Sequence, residues 1–123
     1  FIRWASPTMH FRRTATEDYK LHGKQIREGD KVVIWFTSGN YDERKFSNPF
    51  SLILERENNN HIAFGQGGPH VCLGIWLARL EVRVAMQELL KRVSKIEQIG
   101  PEKYLRSNFI RGIKNLPVKL TSA

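Results

Sequence analysis

The sequence 64-FGQGGPHVCLG-74 contains the only cysteine of the chain, Cys72, and four of its nine glycines. Glycine lets backbone amides approach a sulfur or a flat ligand closely, because it carries no Cβ atom. From Cys72 to about Arg92 the apolar residues recur at the i, i+3, i+4, i+7 spacing of one helix face; they are Leu73, Trp76, Leu77, Leu80 and Val84. The sequence therefore predicts a glycine-rich loop that presents one sulfur at the start of a long helix.

The start of a helix favours a thiolate over a thiol, because unpaired N–H groups and the positive end of the helix dipole lie there. On local grounds Cys72 fits three interpretations: a small buried apolar residue, a nucleophile with His70 as its base, or an axial ligand of a haem iron. A zinc site within the chain is not expected, since the cysteine and the histidines lack ligand spacing; the histidines are His10, His22, His61 and His70.

The chain has 123 residues, enough for one domain with a modest core, and a formal net charge of +8. Residues 1–60 carry a balance of +2 and residues 61–123 a balance of +6. The basic residues are scattered, without runs or interleaved aromatic residues, so we expect no nucleic-acid partner but an anionic cofactor or an acidic protein. No apolar stretch approaches the roughly 20 residues of a membrane span, and no leader is visible. These two observations, together with the single cysteine, predict a cytoplasmic protein with no membrane segment in this chain.

Short elements are predicted before the loop. Residues 1–6 predict the last turn of a helix, which Pro7 ends, and Thr8 to Ala15 favours extended chain. Turns at 22–23 and 28–30 separate short strands, and Lys31 to Phe36 is a β-branched strand. A short helical turn and an irregular but packed meander are expected next. The meander contains apolar residues that need burial, namely Phe46, Phe50, Leu52 and Ile53.

The tail, residues 93–123, contains strand-like pieces separated by glycine and proline. The chain contains no internal repeat, low-complexity segment or linker. We therefore predict a mainly α fold with small β-sheets, in which a long helix is surrounded by packed loops.

The loop and the helix after it resemble the haem-binding motif of the cytochrome P-450 superfamily, in which Phe, Gly, a basic residue, Cys and Gly recur before a long helix. The matching residues are Phe64, Gly67, His70, Cys72 and Gly74. Phe64 lies one residue further from the cysteine than is usual in that family, and the additional residue falls within 67–69. This "GGPH" variant resembles the loops of some bacterial members.

The resemblance covers essentially all of residues 1–123. "FIRWASP" resembles the end of the family's helix bearing Glu-x-x-Arg; Arg3 would be that arginine, and the glutamate would precede Phe1. Arg56 matches the third member of the resulting Glu–Arg–Arg network, which ties the meander to the helix. The resemblance implies that residues 1–123 are a single partial domain, the C-terminal part of the cytochrome P-450 fold. That part comprises the helix end, sheet strands, meander, Cys-ligand loop, long proximal helix and C-terminal β-hairpin.

The resemblance implies haem b (iron protoporphyrin IX) as the cofactor, with Cys72 as the axial ligand whose electron donation helps to cleave the O–O bond of dioxygen. His70 and Arg13 match positions that bind the haem propionates, where cationic donors meet carboxylates. Phe64 would shield the sulfur, and the loop amides would tune its charge. The loop glycines would lie flat against the porphyrin; those assigned to the cofactor site are Gly65, Gly67 and Gly74.

Two segments match regions that line the distal pocket in this family, Pro7 to Phe11 and residues 108–110. Their small or apolar residues suit a hydrophobic substrate held by shape; they are Thr8, Met9, Phe109 and Ile110. The runs "WASPTMHFRRTA" and "RSNFIRGIKNLPV" are most similar to bacterial members that act on sterol side chains or comparable lipids. A basic proximal face would attract an acidic ferredoxin or flavodoxin-type donor, which passes on electrons from NAD(P)H.

The activity implied by the resemblance is that of a monooxygenase, which inserts one oxygen atom of O₂ into an unactivated C–H bond. Residues 1–123 alone are expected to be inactive, with apolar surface exposed around Trp35, Trp76 and the loop. Two alternatives stay open: a haem-binding module without oxygenase activity, peroxygenase-like or degenerate, and a non-haem interaction domain.

Overall fold

The computed structural model describes all of residues 1–123, which form three helices and eight strands. The chain divides into two compact units. The N-terminal unit comprises residues 1–63 together with 108–110, and the loop–helix unit comprises residues 64–107 and 111–123.

Two small antiparallel sheets form the N-terminal unit, one from β1 and β4 and one from β2 and β3. The turn between β2 and β3 is at His22 and Gly23, which both have positive φ, as a tight hairpin turn requires. The elements are α1 (Ile2–Ala5), β1 (His10–Thr14), β2 (Tyr19–Leu21), β3 (Lys24–Ile26), β4 (Lys31–Trp35) and α2 (Phe36–Asn40).

One long helix and two further antiparallel sheets form the loop–helix unit, and the strand pairs are β5 with β8 and β6 with β7. The carboxylate of Glu88 on this helix lies 2.7 Å from Lys91 Nζ and 3.1 Å from Arg92 Nη2, which are an i, i+3 and an i, i+4 ion pair. The elements are α3 (Ile75–Arg92), β5 (Val93–Gln98), β6 (Lys103–Tyr104), β7 (Ile113–Asn115) and β8 (Val118–Ser122).

The apolar core is small, and one expectation about it is wrong. Phe46 is 2% exposed, as predicted, but Phe50 is 69% exposed, and Leu52 and Ile53 are exposed as well. The ring of Phe50 stacks on Tyr41 at 5.3 Å, while its carbonyl accepts a hydrogen bond from the Trp4 indole. Side-chain donors therefore hold the meander through its main-chain carbonyls, while these three apolar side chains remain exposed.

Helix α3 begins at Ile75, three residues later than the sequence predicts. Gly74 is its N-cap, and the first α-helical bond runs from the Ala78 N–H to the Gly74 carbonyl at 2.9 Å. Cys72 lies in a turn before the helix, in which its carbonyl accepts a hydrogen bond from the Ile75 N–H at 3.2 Å. Local turn geometry of this kind leaves no periodic signal, which explains the difference in the boundary.

The apolar face of α3 is exposed: Trp76 is 74% exposed, and no residue of the helix is buried. Trp35 of β4 is 50% exposed, so both tryptophans expected at an apolar surface are found there. No helix combines the length and the apolar character that crossing a membrane would require.

Candidate functional site

The loop that carries the cysteine is closed by one backbone hydrogen bond, from the Cys72 N–H to the Phe64 carbonyl at 2.9 Å. Between these ends Gly65, Gly67 and Gly68 have φ of 74°, 69° and 72°. L-residues with a side chain rarely adopt this left-handed conformation, which costs them roughly 1–2 kcal/mol. The loop therefore needs glycine at these positions to turn back and place the Cys72 amide on the Phe64 carbonyl.

Replacing Gly67 by alanine is expected to lower the free energy of unfolding by about 1–2 kcal/mol, because φ is positive there while the space around it is open. Gly74→Ala is the matched control, since Gly74 has φ of −84° and a Cβ would only reach ordinary contact, 4.0 Å from Cys72 Sγ. We expect the control to lose less stability than Gly67→Ala, because alanine adopts the negative φ of Gly74 without strain. Denaturant unfolding of the two full-length variants checks this, and equal losses would contradict it.

The thiol of Cys72 is exposed and forms no disulfide bond. The interpretation of Cys72 as a small buried residue is therefore wrong. The His70 side chain is exposed as well, and no hydrogen bond joins it to the sulfur, so the geometry offers no support for a nucleophile–base pair. No group of three or more His, Cys, Asp or Glu side chains is placed to share a metal ion. What the loop presents is a single accessible sulfur.

Arg79 also belongs to the surroundings of the loop, and the prediction from the sequence did not include it. Its guanidinium carbon lies 5.8 Å from the ring centre of Phe64 and 5.4 Å from that of Trp76, within the range of a cation–π interaction. Arg79 thus links the first residue of the loop to the first turn of α3. The spacing of three residues between Trp76 and Arg79 on one helix is the signal that could have revealed it.

Arg3 is buried rather than solvated, with 3% of its surface exposed. Its Nη1 donates to the Asn40 carbonyl at 2.6 Å and its Nη2 to the Pro49 carbonyl at 3.0 Å. Its guanidinium carbon lies 4.9 Å from the ring centre of Phe46. One side chain therefore ties α1 to the end of α2 and to the meander.

Arg56 fixes the meander itself, because it donates to the carbonyls of Ser47 at 2.7 Å and Asn48 at 3.2 Å. Its Nε is buried and has no hydrogen-bond partner. The pKa of Arg3 is lowered, first by burial and second by the positive charge of Arg56. Neither guanidinium contacts a carboxylate, so this pair has an unused donor and uncompensated repulsion, and an acidic side chain would satisfy both.

The two segments expected to line a substrate pocket are adjacent in the N-terminal unit. The Met9 N–H donates to the Phe109 carbonyl at 2.9 Å, and Thr8 forms an antiparallel bridge with Ile110. The rings of Phe11 and Phe109 pack edge to face at 5.4 Å. The structure thus brings Thr8 and Met9 next to Phe109 and Ile110, which follow about a hundred positions later in the sequence.

His10 strengthens this contact and was not selected from the sequence. Its Nε2 lies 3.0 Å from the Asn108 carbonyl, which requires a proton on that nitrogen, and its ring lies 4.7 Å from that of Trp35.

Arg13, at the other end of β1, is exposed and donates from Nη1 to the Arg12 carbonyl at 3.0 Å. Arg13 belongs to the N-terminal unit, whereas His70 and Cys72 belong to the loop–helix unit.

Comparison with known families gives a direct assignment. The family model described as Cytochrome P450 matches residues 2–120. The chain belongs to the cytochrome P450 family.

Individual relatives agree with this assignment. The P450 chain is 47% identical over 117 residues to methyl-branched lipid omega-hydroxylase of Mycobacterium tuberculosis, covering 95% of this chain and 27% of the relative. It is 42% identical over 122 residues to steroid C26-monooxygenase of Rhodococcus jostii, covering 99% of this chain and 26% of the relative. The P450 chain thus spans about a quarter of the length of these relatives.

The solved structure of P450 OxyD, which is involved in the biosynthesis of vancomycin-type antibiotics, superposes with a TM-score of 0.94 at 37% identity. The match covers 99% of this chain and 31% of that structure. The predicted fold class, part of the cytochrome P450 fold with small sheets, is confirmed.

Proposed function

We propose that the full-length protein is a haem-dependent monooxygenase, in which residues 1–123 are one part of a larger domain. In the reaction one atom of O₂ enters a C–H bond of the substrate. The other atom leaves as water, which consumes two electrons and two protons. The observation that carries the proposal is the exposed Cys72 sulfur at the end of a glycine-rich loop, in a chain that belongs to the cytochrome P450 family.

The residues of the loop fit haem better than any other metal group. A single accessible thiol can supply one axial ligand, whereas a protein-bound zinc ion needs three or four ligands, and no group of three ligand side chains is present here. Haem, when bound, supplies the activation of dioxygen and the transfer of its oxygen atom. Cys72 would hold the iron, with Phe64 beside the sulfur and the side-chain-free backbone of Gly65, Gly67 and Gly74 leaving room for a flat ligand.

His70 and Arg13 are proposed to bind the propionates of haem b. Both side chains are exposed, and neither forms an ion pair within this chain, so their N–H groups are available to carboxylates. Arg3 and Arg56 are proposed to have a structural role, completed by the glutamate of the Glu-x-x-Arg motif. That carboxylate would receive the unused Nε donor of Arg56 and offset the repulsion that lowers the pKa of Arg3.

The substrate is proposed to be hydrophobic, and a sterol side chain or another lipid fits best. Thr8, Met9, Phe109 and Ile110 form one paired, mainly apolar surface, which suits recognition by shape. Two relatives are named for methyl-branched lipids and for the C26 position of steroids, which are substrates with apolar chains. A panel of sterols and branched fatty acids, titrated into the full-length protein and followed by the haem spin state, tests this. The lipid assignment fails if none binds.

The electrons are proposed to come from NAD(P)H through an acidic ferredoxin or flavodoxin-type donor in the cytoplasm. Residues 61–123 carry ten basic against four acidic residues, and Arg83 of α3 forms no ion pair. Long-range attraction between opposite charges raises encounter rates at low salt and is screened at high salt.

We therefore expect the rate of reduction by the donor to fall as ionic strength rises, and Arg83→Glu to slow it at low salt. Lys119→Glu, on β8 of the same unit, is the control for a change in overall charge. Stopped-flow reduction over a salt series measures both rates. Salt-independent reduction would remove the electrostatic argument, and equal slowing in the two variants would show that only total charge matters.

The decisive experiment is the ferrous–CO difference spectrum of the full-length protein after expression with haem precursor. A thiolate-type Soret band is expected, together with product formation when a donor, NAD(P)H and O₂ are supplied. Haem uptake without any oxygenation of the substrate panel would support a haem-binding module instead. No haem uptake would overturn the proposal. Residues 1–123 alone are proposed to be inactive.

A further inference from the structure

Asn40, the last residue of α2, is completely buried, with 0% of its surface exposed. A buried amide side chain is stable only if its donors and acceptors are paired. The Nδ2 of Asn40 donates to Ser6 Oγ at 2.9 Å, and its Oδ1 accepts from the Ile62 N–H at 2.8 Å. Its main-chain carbonyl accepts from Arg3 Nη1 at 2.6 Å. Asn40 therefore joins the end of α2 to two segments that are far away in the sequence.

The first of these segments is the turn that follows α1. Ser6 is also completely buried, and it adopts a left-handed conformation with φ of 39°, which is uncommon for a residue with a side chain. Its hydroxyl donates to the Arg3 carbonyl at 2.5 Å and accepts from Asn40. Both roles of the hydroxyl are used, so this side of the junction has no freedom to rotate.

The second segment is the chain that enters the glycine-rich loop. Ile62 is bound through its N–H to Asn40, and its Cδ1 lies 2.7 Å from the point where a Cβ on Gly39 would be. A backbone bond and a side-chain contact therefore fix Ile62 against the end of α2. Two residues later, the Phe64 carbonyl accepts the hydrogen bond from the Cys72 N–H at 2.9 Å.

We propose that Asn40 is a positioning residue for Cys72, acting through Ile62 and the Phe64 carbonyl; the inference rests on the proposed role of Cys72 as haem ligand. The loop between Phe64 and Cys72 contains three glycines with positive φ, so its own backbone has little stiffness. Its shape therefore depends on how firmly its ends are held. One end is followed by α3, and the other is held at Ile62 by the Asn40 side chain.

The experiment uses the full-length holoprotein and three variants. Asn40→Ala removes the bond to Ile62, and Asn40→Asp keeps an oxygen for the Ile62 N–H while losing the donor to Ser6. Thr37→Val is the matched control on the same helix, because the Thr37 hydroxyl is buried without a partner and its removal breaks no bond. Two quantities are measured: hydrogen exchange of the Ile62 amide, and the fraction of the ferrous–CO complex that shows thiolate rather than thiol ligation.

For Asn40→Ala we expect exchange at Ile62 to rise about tenfold or more, as for a lost buried hydrogen bond, and a clear loss of the thiolate fraction. Thr37→Val and Asn40→Asp should keep both values close to wild type. If Asn40→Ala matches Thr37→Val in both measurements, the inference is overturned. If Asn40→Ala does not fold, Asn40→Asp is the test instead. Loss of its thiolate band while the Ile62 amide stays protected would show that the bond between Asn40 and Ile62 does not position Cys72, and this would also overturn the inference.

Failure of the proposed function has a different outcome in the same experiment. A wild-type protein that takes up no haem would remove Cys72 as a ligand, and the inference with it. A wild-type protein with a thiolate band, together with unchanged Asn40 variants, would leave the haem assignment standing and remove only the role of Asn40.

Discussion

Replacing Cys72 by alanine is expected to abolish the thiolate-type ferrous–CO band of the full-length protein and to reduce the proposed monooxygenase activity to the level without enzyme. The effect should be complete, because Cys72 is the only cysteine of residues 1–123 and therefore the only thiol that the loop–helix unit can offer to the iron. An axial thiolate donates electron density that no other protein ligand supplies to the same degree. The variant therefore tests the ligand role directly.

The fold should survive this substitution. The Cys72 side chain is exposed, and its backbone bonds to Phe64 and Ile75 do not depend on the sulfur. Truncating an exposed side chain usually changes the free energy of unfolding by less than about 0.5 kcal/mol. Val71→Ala, the exposed neighbour, is the control and should keep the thiolate band. A Cys72→Ala protein that retains the band would refute the assignment of the iron ligand.

The loop and the long helix were predictable because their signals are local. The glycines at 65, 67 and 68 all have positive φ, which few other residues tolerate, and the apolar spacing after residue 72 allows only a helix. The start of the helix was missed by three residues, since Gly74 rather than Cys72 is its N-cap. N-cap geometry depends on a few torsion angles, which the apolar spacing does not record.

Burial was harder to predict than secondary structure. Phe46 and Phe50 look alike in the sequence, but one is packed under the Arg3 guanidinium and the other is open to solvent. The apolar character of a side chain indicates that its burial would stabilise the fold, but it does not indicate whether another segment is present to cover it. The exposed meander residues are consistent with a chain that covers only 27% of the length of its relative.

Buried polar residues were the least predictable part of the site. Arg3 is indistinguishable from a solvated arginine by composition, and only the family resemblance selected it. Asn40 was not selected at all, because an asparagine after a glycine usually indicates a turn. Its role depends on Ser6 and Ile62, which are 34 and 22 residues away, and such pairings arise from the tertiary structure alone.

The second large effect is expected for Arg3→Met, which should lower the free energy of unfolding of the full-length protein by about 3 kcal/mol. The substitution keeps much of the side-chain volume over Phe46 and removes the donors to the Asn40 and Pro49 carbonyls. Hydrogen bonds from a charged donor contribute roughly 1.5–3 kcal/mol each, and the substitution removes two of them. Burial and the positive charge of Arg56 lower the pKa of Arg3, so they already offset part of the stabilisation that its hydrogen bonds provide in the wild type.

This prediction is tested by denaturant unfolding of three variants, Arg3→Met, Arg3→Lys and Arg44→Met. Lysine keeps the charge, but its single ammonium cannot reproduce the planar fork that reaches both carbonyls, so it should recover only part of the loss. Arg44 is 91% exposed in its pair with Asp42, and its replacement should leave the unfolding midpoint unchanged within error. Equal midpoints for the Arg3 and Arg44 variants would mean that the buried guanidinium does not hold α1 to the meander. The proposed Glu–Arg–Arg network would then have no role in the stability of the full-length protein.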